Sequence, residues 1–427
     1  MKKLRVLFEG WGERWALGTL AQTDRDTLFE YSPEAIARGL ALSPLRQPLP
    51  KPGAASMAYP GHPSFANLPG FIADALPDGW GLLLMDRALR QRGRDPRAVS
   101  VLERLAIIGH RAMGALSFEP ADEDLLPSEA LELNRLARDV ADLQTQEFAA
   151  TETAQAQLRR LMLLGGSPQG ARPKVLVDFN PDTGHLSSGQ TLEAGDTPWL
   201  IKFPAQGEHR EVCALEDWYA SVAQLGGMDM PRHQFFDLDT PHSAFGVERF
   251  DRLTPAPGEP AQRVPVLSLS AYLQADHRLP SLDYETVLLA TLRITGDRRE
   301  LLKAFERCVF NVLKHNRDDH AKNFAFRMEP SGRWKLSPAF DLTHSFGPGG
   351  EHSTSVAGHG KAITRQHLLQ VAERAGLDAA LAQERITHWC ETIHTAAQQP
   401  PSEAIRPTTW NDWQGGLQER LALLKQT

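Results

Sequence analysis

The chain has 427 residues, enough for two to three packed cores at roughly 150 residues each, which excludes a disulfide-stapled miniprotein and an unfolded tail. Hydrophobic residues make up 41% and charged residues 23%, while 33 Gly and 30 Pro point to many turns and exclude a long coiled coil or a collagen-like repeat. The 53 acids against 46 Lys and Arg leave a formal charge of −7, which on average repels a phosphate backbone, so nucleic-acid contact would need a local basic face. Cys213, Cys308 and Cys390 are too far apart for a CxxC pair and read as buried thiols in a reducing compartment. The apolar run Val6–Phe8 ends at Glu9 and Gly10, too short for a signal peptide, and no run approaches the roughly 18 apolar residues of a membrane span. The expectation is a soluble cytoplasmic protein with no membrane partner.

In chain order, Leu4–Phe8, Trp15–Leu20 and Thr27–Tyr31 predict three short strands separated by Gly- and Asp-containing turns, a β-meander. Ser32, Pro33 and Glu34 predict a helix start: a hydroxyl cap, a proline where no N–H is needed, and an acid at the positive end of the dipole. Residues 44–69 read as loop, and 80–92 and 98–108 as helices, the second with Val101, Leu105 and Ile108 on one face. The acidic, Ala- and Leu-rich stretch 119–155 predicts a helical connector, with a domain boundary near 150. Strands are predicted at 174–179, 198–203 and 244–250, a helix at 209–224, a Pro-rich loop at 254–265, and mostly helix from 267 onward, interrupted by 315–361. This order predicts an α+β, bilobal enzyme with a strand-rich and then a helical lobe, preceded by a small α/β domain; that the two lobes form a protein-kinase-like fold is what the motifs and the resemblance below imply. The expected domains are 1–150, a strand-rich lobe at 151–255 and a helical lobe at 256–427.

Four places could carry chemistry. In LLGGSPQGARPK, residues 163–174, Gly165, Gly166 and Gly170 allow close backbone approach and Arg172 and Lys174 bring positive charge, as a phosphate cradle requires; alone, fitting neither GxxxxGKS/T nor GxGxxG, the segment reads first as an ordinary Gly/Pro turn. Lys202, in PWLIKFP, points into a cleft or snorkels to the surface. Glu216, beside the apolar stripe Val212, Leu215, Tyr219 and Val222, is either its ion-pair partner or a solvated helix-face acid. In HNRDDHAKNF, residues 315–324, Asp318 and Asn323 are five apart, the interval at which a kinase loop places its proton-accepting aspartate and its metal-binding asparagine. Asp341, after a strand-like run, adds a hard oxygen suited to Mg²⁺; His315 and His320 could offer zinc ligands, but HExxH is absent and no cysteine is near. The run AFGVERFDR, 244–252, suits a hinge strand meeting an adenine edge, or a plain strand ending in a charged turn.

Taken in order, these parts resemble the HipA family, serine/threonine kinases that act as toxins in bacterial toxin-antitoxin pairs. FEYSPEAIARG (29–39), LPDGWG (76–81) and IIGHRAMGAL (107–116) look like that family's N-terminal domain, and GGSPQGARPK, IKFP, VERFDR, DDHAKNF and AFDL like its kinase domain. The resemblance implies Asp318 as catalytic base, Asn323 and Asp341 as Mg²⁺ ligands, and ATP contacts from Gln169, Gly170, Ala171, Arg172, Lys174, Lys202, Glu248, Arg249, Phe250, His320, Lys322 and Phe340. It implies Ser167 as an autophosphorylation site, although Pro168 and the ARPK sequence depart from some members. DDHAKN also departs from the usual kinase HRDLxxxN, so Lys322 either assists the γ-phosphate or solvates the loop. Residues 349–361 fall where a kinase holds its activation and peptide-binding region and read as a mobile loop. The implied activity is ATP-dependent phosphorylation of a translation-related protein, such as an aminoacyl-tRNA synthetase, to arrest growth. The implied partner is a small DNA-binding antitoxin of HipB type, through which alone the chain would meet DNA. A small-molecule kinase and a nucleotide-binding pseudokinase that docks an antitoxin are the competing readings.

Overall fold

The computed structural model describes residues 2–23, 26–51, 57–122, 129–145, 152–166, 168–189, 192–254, 259, 261–398 and 400–425. The chain forms two compact units, Met1–Cys213 with His233–Leu267, and Ala214–Arg232 with Ser268–Thr427. The boundary expected near 150 falls outside the described residues.

Among the described residues, the first unit holds two large antiparallel sheets and a short antiparallel pair, Arg252–Leu253 with Gln262–Arg263. Strands β1 (Lys3–Phe8), β2 (Trp15–Gln22), β3 (Thr27–Tyr31), β4 (Ala58–Pro60) and β5 (Leu116–Glu119) are ordered β4-β3-β2-β1-β5. The predicted meander is present, and it buries Val6, Phe8, Leu17, Leu20 and Phe29. The segment 44–69 is not all loop: β4 adds to the β3 edge, pairing Tyr59 with Phe29. Ser32 caps the next helix, Pro33–Arg38, by accepting from the Ala35 amide at 3.0 Å, and Gly39 ends it in the left-handed conformation at φ 70°.

The second sheet runs β10-β11-β9-β7-β8-β6, comprising β6 (Glu129–Ala130), β7 (Lys174–Phe179), β8 (Leu186–Ser188), β9 (Thr197–Lys202), β10 (His233–Asp237) and β11 (Ser243–Glu248). Three of these strands, β6, β8 and β10, were not expected from the sequence. Within the expected helical connector, Glu129 and Ala130 pair with β8 just before the helix Leu133–Thr145, so the connector carries sheet as well as helix. The edge strand β10 has no clear apolar alternation, because it pairs on one side only and its burial pattern is mixed.

The second unit is mainly helical, with helices Tyr284–Thr295, Arg298–Lys314, Arg365–Arg374, Ala379–Ala396 and Pro407–Lys425, a hairpin of Ala325–Met328 with Trp334–Leu336, and a parallel pair of Leu282–Asp283 with Thr354–Ser355. Arg298–Lys314 is its centre: Leu301, Phe305, Cys308, Val309, Phe310 and Leu313 are fully buried. Asp297 caps its start and His315, with φ 57°, ends it in the left-handed conformation, which turns the chain directly into the Asp318 loop. No helix among the described residues is long and apolar enough to cross a membrane.

Candidate active site

In the first unit, the Gly-rich segment is held by the LPDGWG segment. The Trp80 amide donates to the Gly170 carbonyl at 3.1 Å, the Trp80 indole donates to the Lys174 carbonyl at 3.1 Å, and the Gly170 amide donates to the Asp78 carboxylate. A side chain at Gly79 would meet the Gly170 carbonyl at 2.5 Å, so glycine is required for this close approach. Gln169 points inward, its amide donating to the Asp74 and Leu76 carbonyls at 3.1 and 2.9 Å. The Lys174 ammonium donates to the Gln169 carbonyl, and Arg172 grips Glu208 through bonds of 2.9 to 3.2 Å. The loop is thus a bonded turn whose cations are partly used within it. Ser167 lies outside the described residues.

Lys202 is buried rather than snorkelled, 7% exposed, and stands directly across from Lys174, 4% exposed, in the β7–β9 register. Opposed positions share a sheet face, so two ammonium groups are concentrated there, an arrangement that is destabilising unless negative charge is shared with it. Glu216 is buried at 3%, not solvated, because the helix Glu211–Leu225 is covered on nearly every side rather than along one stripe.

After β11 ends at Glu248, Arg249 closes on Asp251 through two bonds of 2.9 Å and Phe250 is half-buried. Arg252 and Arg263 converge on the same place: Arg252 bonds Asp251 at 2.7 Å, and Arg263 bonds Glu9 and the carbonyls of His110, Ala112, Gly114 and Leu116. Burial alone would raise the Asp251 carboxyl, but Arg249, Arg252 and the Gly114 amide hold it well below the ordinary range. VERFDR therefore ties β11 to the RAMGAL segment, whatever else it touches.

In the second unit, the loop after His315 presents two adjacent aspartates in opposite environments. Asp318 is exposed, with 56% of its side chain accessible, whereas Asp319 is 1% exposed. The Asn323 side-chain amide donates to the Asp318 backbone carbonyl, closing the loop over a 3-10 turn, Ala321–Asn323, and turning its own carbonyl oxygen the other way. His320 Nε2 lies 3.8 Å from the Asp318 carboxylate, and its ring packs 5.5 Å from that of His277. Lys322 is half-buried and Phe340 is partly exposed.

Asp341 does not end a strand. The strand stops at Leu336, and Asp341 sits in irregular chain at φ 52°, a left-handed conformation that aspartate tolerates better than most residues. Its segment is fixed upstream by the long helix and by Asp229: Glu300 accepts from the Leu336 amide at 3.0 Å, buried Arg307 donates to the Ser337 carbonyl, and the Ala339 amide donates to the Asp229 carbonyl at 2.7 Å. The Asn323 carbonyl and the Asp341 carboxylate are hard oxygen donors, the set that suits Mg²⁺ rather than zinc.

Residues 349–361 are not a loose loop. Thr354 and Ser355 pair with Leu282 and Asp283, Val356 bridges His359, and His352, Thr354 and Val356 are buried. One cause is Asp319, a buried carboxylate that must be hydrogen-bonded and finds donors in His352 and Thr354. Sequence reasoning missed Asp319, His352 and Tyr284; the only local signal was the doubled aspartate.

The family model of the HipA-like C-terminal domain matches residues 166–398, and that of the HipA N-terminal domain matches residues 9–119. The solved structure of the Shewanella oneidensis MR-1 HipA, in a complex with HipB and its operator DNA, superposes over 98% of this chain and 96% of that one, with a TM-score of 0.69 and 16% identity. At that identity the likeness shows the fold, which is the kinase-like α+β arrangement. A Sinorhizobium fredii protein named "Putative kinase Y4dM" is 27% identical over 291 residues, 64% of this chain and 62% of that relative's length.

Proposed function

Because the chain belongs to the HipA family, through domain matches that cover 9–119 and 166–398, we propose that it is an ATP- and Mg²⁺-dependent kinase of protein serine or threonine. The observation that carries this reading is the Asp318–Asn323 loop: an exposed carboxylate with an asparagine folded onto its backbone. Asp318 accepts the proton of the acceptor hydroxyl as the oxygen attacks the γ-phosphorus. Lys202, with Lys174 beside it, supplies positive charge for the phosphates, and Gly170 in the Gly-rich segment lets the backbone approach them. When bound, Mg²⁺ would be held by Asn323 and Asp341 and would neutralise phosphate oxygens. Glu248, Arg249 and Phe250 flank the adenine, with His320, Lys322 and Phe340 near the nucleotide.

The Shewanella oneidensis HipA forms its complex with HipB and operator DNA, which supports an antitoxin of HipB type as partner here, and the charge of −7 supports DNA contact through that partner rather than directly. A translation-related acceptor, such as an aminoacyl-tRNA synthetase, and growth arrest follow from the family reading. Phosphorylation of Ser167 would place a dianion in the segment that must cradle ATP phosphates, which makes it self-limiting. Action in a reducing cytoplasm is consistent with Cys213, Cys308 and Cys390 remaining thiols.

The test is transfer of labelled phosphate to protein in a lysate, with mass-spectrometric mapping of the labelled residues. Asp318→Ala is expected to lower transfer at least about 100-fold with an unchanged melting temperature, since its side chain is exposed. Near-normal transfer by that variant would sink the assignment.

A further inference from the structure

We infer that Asp319 and His352 are positioning residues that fix the Asp318 loop against the segment 345–354. The inference rests on the phosphotransfer reading for its catalytic consequence but not for its structural one. Asp319 Oδ2 accepts from the Tyr284 hydroxyl at 2.8 Å and lies 2.8 Å from His352 Nδ1, while Oδ1 accepts from the Thr354 amide at 3.2 Å. The Asp319 backbone carbonyl accepts from the Thr354 hydroxyl. One buried carboxylate thus gathers donors from the helix Tyr284–Thr295 and from two positions of the later segment.

Tyr284 is itself held, its hydroxyl accepting from Asn311 at 2.9 Å, and Asn311 accepts from Asn316 at 3.0 Å. The connection extends along the loop. The His315 carbonyl accepts from the Ser345 amide at 3.0 Å, and the Arg317 carbonyl accepts from the Ser353 amide at 3.1 Å and the Ser353 hydroxyl at 3.0 Å. Residues 315, 317 and 319 are therefore all tied to the later segment, while Asp318 between them stays exposed. A buried hydrogen-bonded network favours one geometry, and removing one member leaves its partners unsatisfied, so the position of Asp318 depends on donors more than 30 residues downstream.

The experiment uses the intact protein and two readouts. Hydrogen exchange of peptides covering 315–323 and 345–361 needs no activity, and kcat is measured beside the KM for ATP. Asp319→Asn and His352→Leu are expected to raise exchange in both segments together. They should also lower kcat about 10-fold or more, with the KM for ATP changed less than kcat because the contacts proposed for Lys202 and the Gly-rich segment are left in place. His352→Asn, which keeps a nitrogen donor close to the place of Nδ1, should restore both readouts toward wild type. Thr354→Val, nearly isosteric, removes only the hydroxyl and serves if the leucine variant does not fold. Unchanged exchange in either segment overturns the clamp. Raised exchange with unchanged kcat overturns the positioning role. If the wild-type protein transfers no phosphate, the phosphotransfer reading and the positioning role fall together, and the exchange data still decide the clamp.

Discussion

His315 ends the long helix and His344 stacks on it, with ring centroids 5.0 Å apart. Burial, then Arg317, Arg420 and the neighbouring imidazoles, push His315 down to about 3; burial, Arg420, Lys314 and Arg317 push His344 down to about 4. In the unfolded chain both return toward 6.5, so between that value and about 4 the unfolded state binds more protons and stability falls as pH falls. Above 6.5 both rings are neutral in either state and add no slope. The double variant His315→Asn with His344→Gln, whose asparagine tolerates the left-handed backbone at φ 57°, should unfold at a lower pH than wild type in an acid titration followed by circular dichroism. An unchanged acid midpoint would show that other groups set it.

At the scale of elements, the turn after β11 is where the first unit concentrates charge in its interior. Asp251 is 2% exposed and neutralises Arg249 and Arg252 while accepting from the Gly114 amide at 2.8 Å. Asp251→Asn leaves buried guanidinium charge without its carboxylate and should cost about 3–5 kcal/mol, read as a lower urea midpoint followed by tryptophan emission. A loss within about 0.5 kcal/mol, the size of a surface change, would mean that the cluster is not needed. The same turn shows what a sequence can and cannot reveal. The strands β1, β2, β3, β7 and β9 were legible because apolar residues and turn residues mark them locally, and the Asp318–Asn323 pair because its spacing is local. Asp319 was not legible, since its partners Tyr284, His352 and Thr354 lie 33 to 35 residues away. The burial of Glu216 was hidden for a related reason: helical periodicity reports one apolar face, not a second covering element.

At the scale of the molecule, the family match ends at residue 398, but the second unit does not. The helix Pro407–Lys425 buries Trp410, Trp413, Leu417, Leu421 and Leu424. The Trp413 indole donates to the Tyr219 hydroxyl at 2.9 Å, Tyr219 donates to the Lys314 carbonyl, and Arg420 donates to the Leu313 carbonyl at 2.8 Å. Lys314 itself is fully buried, its ammonium 3.0, 3.9 and 4.7 Å from the ring centres of Trp218, Tyr219 and Trp413. The last helix therefore helps cap the carbonyls that end Arg298–Lys314, and the Asp318 loop begins at the next residue. Each large side chain it buries is worth about 1.5–3 kcal/mol, so together they rival the whole net stability of a domain, about 5–15 kcal/mol. Truncation after residue 398 should remove the cooperative melting of the second unit and its near-ultraviolet circular dichroism, and with them any transfer that depends on Asp318. A truncated chain that melts like the intact one would show that the core of this unit closes without its final helix, and that the carbonyls of Leu313 and Lys314 find other donors.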